Sequence, residues 1–293
     1  MGDKKIILVT GANGQLGNEI RVNAATQPDY HFLFVTKKEL AIDDTPAVEA
    51  YFASHNITWC INCAAYTEVD KAESEPGKAM LINGTAVGNL AAVCKNHNAQ
   101  LIHISTDYVF DGTATQPYKE GDYVSPVNFY GASKLKGEQL AIQNNPNSII
   151  IRTSWVYSSF GNNFVKTMLR LMGERESINV VNDQQGCPTY GADLAAAIMH
   201  IVQANIQFSA PEIFNYSNAG AITWYQFALA IREFSGSKCT VNPIAASQYP
   251  TPAKRPQYSV MDTTKIQQTF KIKIPAWQDS LQKCIYILLA DKA

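Results

Sequence analysis

The chain has 293 residues, of which 46% are hydrophobic and 17% charged, so it can bury a large core and is not expected to be disordered. Its formal net charge of −1 at pH 7 gives no electrostatic reason to expect nucleic acid or an anionic membrane as a partner. The apolar runs near both termini are too short for a signal peptide or a membrane helix, so we expect a cytoplasmic protein.

Apolar, strand-like runs alternate with helical stretches through the first half of the chain. The predicted strands cover residues 6–10, 31–36, 57–64, 101–105 and 149–153. The predicted helices cover residues 18–25, 78–96 and 130–143. This alternation predicts βαβ units and a doubly wound, parallel, Rossmann-like α/β fold. We expect a dinucleotide-binding domain over residues 1–157.

The second half is less regular. The predicted helices cover residues 163–172, 190–203, 223–234 and a C-terminal segment at 284–290. Thr223 can cap the third of them, and the prolines from Pro243 to Pro256 predict an irregular stretch. We expect residues 158–293 to form mainly a smaller α/β substrate-binding domain, with segments that return to the first domain.

Six cysteines are present, and Cys60 and Cys63 form a C-x-x-C motif. The motif lies in a predicted strand, where residues three apart point to opposite faces. No second Cys/His pair at a zinc-like spacing stands nearby. We therefore predict buried, reduced thiols and no metal.

A glycine-rich loop follows the first predicted strand and precedes a helix. Its glycines stand at every third position, at Gly11, Gly14 and Gly17. Glycines permit a tight turn and close approach of the backbone to a pyrophosphate, and the helix N-terminus adds N–H donors. An ordinary glycine turn is the alternative, but the order of strand, loop and helix favours a cofactor loop. The spacing resembles that of the extended short-chain dehydrogenase/reductase superfamily.

The second predicted strand ends at Lys37 and Lys38, and Glu39 comes only after them. An acidic residue at this place would favour the unphosphorylated ribose of NADH, whereas a cation suits the 2′-phosphate of NADPH. The sequence therefore favours NADPH, with NADH as the alternative. Asp43 resembles the superfamily's acidic position near the adenine, or it is a carboxylate at a helix N-terminus.

A second motif, Y-x-x-x-K, places Tyr130 and Lys134 one helical turn apart. An ammonium group stabilises a phenolate, and a tyrosine with a tuned pKa can protonate a carbonyl oxygen as hydride reaches its carbon. A surface Tyr–Lys pair is the alternative reading, which the upstream glycine loop disfavours. A hydroxyl at the end of the fourth predicted strand, from Ser105 or Thr106, can orient that oxygen.

Longer segments are more specific than these motifs. Segments 62–73, 105–112, 152–157, 161–164, 183–189 and 255–262 resemble dTDP-4-dehydrorhamnose reductases. The resemblance spans residues 5–265. It implies the final reduction in dTDP-L-rhamnose synthesis, a step in polysaccharide biosynthesis, in which nicotinamide hydride goes to the C4 keto carbon of dTDP-4-dehydro-L-rhamnose. The resemblance makes Tyr130 the general acid and Thr106 the residue that orients the carbonyl. It implies that Lys134 tunes the pKa of Tyr130 and holds the nicotinamide ribose.

The resemblance also implies binding roles for other residues. The cofactor is expected to contact Gly11, Asn13, Gly14, Gln15, Leu16, Gly17, Lys37, Asp43, Ala64, Ala65, Tyr66, Thr67, Tyr130 and Lys134. The nucleotide-sugar substrate is expected to contact Val69, Thr106, Asp107, Trp155 and Arg255. Core packing is the alternative role for Trp155, and a salt bridge that braces the two domains is the alternative for Arg255.

Other readings stay open at this point. A dehydratase on the same fold would need a Glu after Asp107, where this chain has Tyr108. A non-catalytic regulatory subunit, such as the methionine adenosyltransferase β subunit, and a reductase of another nucleotide-linked keto-sugar remain as alternatives. Some family members bridge a dimer through magnesium. Glu19 and Asp193 match the positions of its ligands but Asp291 cannot be aligned, so we predict no metal and a monomer or homodimer.

Overall fold

A computed structural model describes residues 4–290. Its strands are β1 (Lys5–Thr10), β2 (Tyr30–Val35), β3 (Ile57–Asn62), β4 (Gln100–Thr106), β5 (Ser148–Thr153), β6 (Val156–Tyr157), β7 (Ser177–Val181), β8 (Gln185–Gly186), β9 (Thr189–Tyr190), β10 (Glu212–Tyr216), β11 (Ile222–Thr223) and β12 (Thr240–Ile244). Its helices are α1 (Gln15–Ala24), α2 (Thr45–Ser54), α3 (Val69–Ser74), α4 (Pro76–Met80), α5 (Ala86–Asn96), α6 (Phe129–Asn144), α7 (Phe164–Glu174), α8 (Gly191–Ala204), α9 (Trp224–Ser235), α10 (Thr264–Phe270) and α11 (Trp277–Ala290). No helix within these residues is long and apolar enough to cross a membrane.

Six strands form one parallel sheet in the order β2-β1-β3-β4-β5-β10. After β2 the chain crosses to the other side of β1, so the strand order reverses between β1 and β3. In open α/β sheets, ligands bind beyond the carboxyl ends of the strands at such a switch point. The predicted doubly wound fold is confirmed.

Helices cover both faces of this sheet, because its buried strands are apolar on both sides. Ile7 and Val9 of β1 pack in one core with side chains of α1, α8 and α10, while Leu8 packs in the other with α2, α5 and α6. Apolar runs of this kind are typical of parallel sheets that are buried on both faces.

The second half of the chain contributes to both parts of the molecule. Strand β10 pairs with β5, and α8 packs against α1. Helices α7, α9 and α11 instead surround a separate core with the parallel pair β7–β12. Pro243, expected in an irregular stretch, lies in β12, which pairs on one side only and so tolerates a residue without an N–H.

The single helix predicted over residues 78–96 is interrupted. A π-helical turn at Leu81–Thr85 separates α4 from α5. Asn83 in this turn is fully buried, and its amide accepts from the N–H of Tyr66 (2.8 Å) and donates to the carbonyl of Tyr66 (3.0 Å). The turn therefore places a side chain that shapes the loop after β3, and such π turns often occur near functional sites.

Candidate active site

A cleft of about 700 Å³ lies over the carboxyl ends of β1, β3, β4 and β5. Among its lining residues are seventeen predicted site residues: Gly11, Asn13, Gly14, Gln15, Leu16, Gly17, Lys37, Asp43, Ala64, Ala65, Thr67, Val69, Thr106, Asp107, Tyr130, Lys134 and Trp155. The fold thus brings together residues up to 144 positions apart in the chain. Ser154, Gly161, Asn162 and Trp224 also line the cleft, and the sequence did not mark them as site residues.

The glycine loop is shaped by close backbone packing. Gly11 has φ +63°, and a Cβ there would lie 2.7 Å from the backbone nitrogen of Ala64. A Cβ on Gly17 would lie 2.6 Å from the carbonyl oxygen of Gly11. Gly14 caps α1 without a side-chain hydrogen bond, so the first N–H groups of the helix stay available to an anion. These features fit the pyrophosphate of a dinucleotide.

We expect Gly17→Ala to weaken NADPH binding by at least tenfold and to lower stability, because the new methyl group meets the rigid backbone of the loop. Cofactor fluorescence titration and urea unfolding measure the two effects. Gly173→Ala is the matched control: a Cβ there meets nothing within 4 Å, so the helix should gain up to about 1 kcal/mol and binding should not change. Equal binding by both variants would contradict the role of Gly17.

Lys37 and Asp43 both line the cleft. Glu39 is occupied locally, since its carboxylate accepts the N–H of Thr36 at 2.8 Å, and this bond lowers the pKa of Glu39. Asp44, rather than Asp43, caps α2 by accepting the N–H of Ala47 at 3.1 Å. Asp43 therefore does not cap α2 and faces the cleft that Lys37 also lines.

Two elements bring the three predicted catalytic residues together. Thr106 ends β4, and Tyr130 and Lys134 lie on the first turns of α6. Asn128 caps this helix by accepting the N–H of Gly131 at 2.8 Å. A Cβ on Gly131 would lie 2.1 Å from the carbonyl oxygen of Tyr108, so glycine lets the helix start pack closely against the turn after β4.

The surroundings of Tyr130 raise the pKa of its hydroxyl, whereas the sequence led us to expect that the Lys134 ammonium would lower it. Burial and the nearby Asp107 carboxylate raise the pKa of Tyr130, while the Thr106 hydroxyl acts in the opposite direction. Tyr130 is therefore a neutral phenol at pH 7. Burial lowers the pKa of Lys134 to about 8, and burial raises the pKa of Asp107 to about 6. A neutral phenol, an ammonium group and a hydroxyl thus share one buried corner.

Trp155 has a strained backbone, with φ +48°. Its indole stacks on that of Trp224, with centroids 3.5 Å apart and planes inclined by 10°. A Cβ on Gly186 would lie 2.7 Å from the Trp155 ring, so Trp155 is also confined from another side. Left-handed backbone at a bulky residue costs about 1–3 kcal/mol and is common where a side chain is held for function. The stack forms a flat apolar wall of the cleft.

Two predicted site residues are not brought into the cleft. Tyr66 does not line the cleft, and its hydroxyl donates to the Glu75 carboxylate at 3.0 Å. Arg255 forms a bidentate ion pair with Asp70, at 2.6 and 2.8 Å. The structure therefore shows the bracing salt bridge rather than a free guanidinium, because Asp70 at the start of α3 offers the carboxylate geometry that arginine prefers.

The two positions that match magnesium ligands are engaged in hydrogen bonds. Glu19 accepts the Ser158 hydroxyl at 2.7 Å, and burial raises the pKa of Glu19. Asp193 accepts the amide of Asn218 at 2.7 Å. Within residues 4–290, no cluster of three or more metal-ligating side chains is present, and Asp291 lies outside the described residues.

A family model described as the RmlD substrate binding domain matches residues 4–289 of this chain. The chain belongs to the dTDP-4-dehydrorhamnose reductase family. It is 40% identical to the dTDP-4-dehydrorhamnose reductase of Sinorhizobium fredii, over 97% of this chain and 98% of the relative. It is 36% identical to the dTDP-4-keto-6-deoxy-D-glucose reductase of Streptomyces niveus, over 98% of each.

A solved member of the dTDP-4-dehydrorhamnose reductase family has the same fold. The enzyme from Bacillus anthracis, crystallised in complex with NADP, superposes with a TM-score of 0.93 at 36% identity, covering 97% of this chain and 100% of that one. The resemblance inferred from the sequence is confirmed. The chain is an oxidoreductase of this family.

Proposed function

We propose that this chain reduces the C4 keto group of dTDP-4-dehydro-L-rhamnose to give dTDP-L-rhamnose, with NADPH as the reductant. The observation that carries the proposal is the meeting of Thr106, Tyr130 and Lys134 in the cleft that also contains the glycine loop. The nucleotide-sugar substrate is inferred from the relatives of this chain, which are dTDP-4-dehydrorhamnose reductases.

When bound, the cofactor would supply the hydride for the keto carbon. The chain's own residues orient and protonate the keto oxygen. The Thr106 hydroxyl donates to the Asp107 carboxylate at 3.0 Å in this structure, and it would turn to donate to the carbonyl oxygen of the substrate and orient it. Tyr130, neutral at pH 7, gives its proton to that oxygen as negative charge develops on it. The Lys134 ammonium stabilises the phenolate that remains.

Two groups of cleft residues would hold the ligands. Gly14, Gln15 and Leu16 would contact the cofactor pyrophosphate through free N–H groups at the start of α1, with Ala65 and Thr67 on the opposite side. Val69, Asp107 and Trp155 would face the sugar, with the Asp107 carboxylate accepting from its hydroxyl groups and Trp155 packing on its apolar face.

Lys37→Ala tests the cofactor preference. We expect the KM for NADPH to rise about tenfold and the KM for NADH to change less than twofold, since a charged hydrogen bond to the 2′-phosphate is lost only with NADPH. Steady-state kinetics with both cofactors measure this. Lys38→Ala, on the neighbouring exposed lysine, is the control. Equal effects on both cofactors would remove the proposed role of Lys37.

The deciding experiment follows oxidation of NADPH with enzymatically made dTDP-4-dehydro-L-rhamnose. We expect turnover, and more efficient turnover than with dTDP-4-keto-6-deoxy-D-glucose or the equivalent UDP and GDP sugars. Tight NADPH binding without turnover of any keto-sugar would favour a regulatory subunit. Turnover of only another nucleotide sugar would keep the mechanism and replace the substrate.

We place this reaction in the cytoplasm, and six unpaired cysteines fit a reducing compartment. Cys60 is fully buried and so suits packing more than redox chemistry. The prediction of a buried thiol is wrong for Cys63, which follows the end of β3, is only partly buried and lines the cleft. The oligomeric state stays a prediction, monomer or homodimer, which sedimentation equilibrium would decide.

A further inference from the structure

A row of polar side chains crosses the buried centre of the sheet beneath the active site. Thr10 of β1 is in register with Asn62 of β3, and Asn62 with His103 of β4. All three are at most 1% exposed. The row leads to Lys134, whose Nζ lies 3.4 Å from Nε2 of His103. Buried polar groups need hydrogen-bond partners, so the donor or acceptor role of each group in the row fixes the role of the next group.

The backbone decides how the Asn62 amide is oriented. The N–H of Ala64 can only donate, and it lies 3.2 Å from Oδ1 of Asn62. The Thr10 hydroxyl donates to the same oxygen at 2.6 Å. The Nδ2 group of Asn62 is therefore the one that faces His103, and it donates to Nδ1 of the ring at 3.0 Å.

This orientation selects one tautomer of His103. A neutral imidazole has one N–H and one acceptor nitrogen. Because Nδ1 accepts from Asn62, the hydrogen lies on Nε2 and points toward Lys134. Lys134 also donates to the carbonyl of Ile104 at 2.6 Å. An N–H of a Lys134 ammonium group would therefore face the Nε2–H of His103, and the two donors would repel each other. A neutral Lys134 amine could instead accept the hydrogen bond from His103.

The charges around the pair agree with this arrangement. Burial and the neighbouring Lys134 hold the pKa of His103 well below its usual range, so the ring stays neutral. Burial lowers the pKa of Lys134 to about 8, while Glu138 on the same helix and Cys63 after β3 act to raise it.

We propose that Asn62 and His103 are positioning residues, in which Asn62 holds His103 as the Nε2–H tautomer and the ring N–H weakens the hold of Lys134 on its proton. Lys134 is then a cation able to share its proton with Tyr130 near neutral pH. The proposal rests on the proposed role of Lys134 in the reduction.

Asn62→Ala tests this role through the pH dependence of kcat. Without the amide, the ring can place its hydrogen on Nδ1 and accept from the Lys134 ammonium. Lys134 then keeps its proton to higher pH, so we expect the alkaline limb of the profile to move up by about one pH unit. Asn62→Asp, a near-isosteric variant whose carboxylate accepts from Nδ1–H, should move it in the same direction.

The control is Asn83→Ala, another fully buried asparagine that shapes the neighbouring loop without contacting His103. It should lose activity without moving the limb. Nitrogen-15 NMR of histidine-labelled enzyme reads the tautomer without substrate: we expect Nε2–H in wild type and Nδ1–H in Asn62→Asp. An Nδ1–H tautomer in wild type, or an unmoved limb in Asn62→Ala, would overturn the proposal. Absence of turnover would refute the proposed function but leave the tautomer measurement valid.

Discussion

Tyr130→Phe is expected to lower kcat about 1000-fold, within the range that a general acid contributes. The Tyr130 hydroxyl lies within hydrogen-bonding reach of Thr106. Phenylalanine keeps the ring and its packing but cannot donate a proton. The affinity for NADPH should change less than threefold, because the glycine loop and the start of α1 do not involve the Tyr130 hydroxyl. Single-turnover kinetics and cofactor titration separate the two quantities.

The control is Tyr118→Phe, which removes a phenol outside the cleft. The Tyr118 hydroxyl donates to Asp111 at 2.7 Å, so its loss should cost about 1 kcal/mol of stability and leave kcat unchanged. If Tyr130→Phe retains more than a tenth of wild-type kcat, a different group protonates the sugar oxygen.

Those parts of the site that depend on local spacing were predictable from the sequence. Three glycines after a short apolar strand, and Tyr130 one turn before Lys134, carry their geometry within a few residues. The end of the fourth strand offered both Ser105 and Thr106, and only the family resemblance selected Thr106. All of these residues line the cleft.

The parts that depend on distant contacts were not predictable in this way. Trp224 begins a helix in the second half, and only the folded chain brings its ring onto Trp155. The sequence left two roles for Arg255, contact with the substrate and a salt bridge to a carboxylate. Its partner in the structure, Asp70, is 185 positions away in the chain. Asn83 was predicted as one residue of a regular helix, but it lies in a π turn and forms hydrogen bonds with Tyr66, 17 positions away.

The same distinction holds for the fold. The strands that follow each other closely in the first half were predicted within two residues at each end, because each is an apolar run bounded by turns. Strand β10 was missed because its five residues alternate only weakly, and its place beside β5 depends on pairing across the chain.

The buried ion pair beneath the active site gives the largest expected effect on stability. Arg152 on β5 binds Glu138 on α6 through two nitrogens, with contacts of 2.7 and 3.0 Å, and both side chains are at most 3% exposed. Ser105 also donates to Glu138, and Arg152 donates to the carbonyl of Glu120 at 3.1 Å. Because both side chains are buried away from water, each charge is stabilised mainly by the opposite charge of its partner.

Arg152→Met should therefore lower the free energy of unfolding by about 3–5 kcal/mol, because it leaves the Glu138 carboxylate buried without a cation. Urea denaturation measures the change. The double variant Arg152→Met/Glu138→Gln should recover part of it, since no uncompensated charge remains. The control is Arg170→Met, which breaks an exposed pair with Glu174 (2.8 Å) and should cost at most about 0.5 kcal/mol. Similar losses in the two single variants would mean that the buried charge is solvated by other groups.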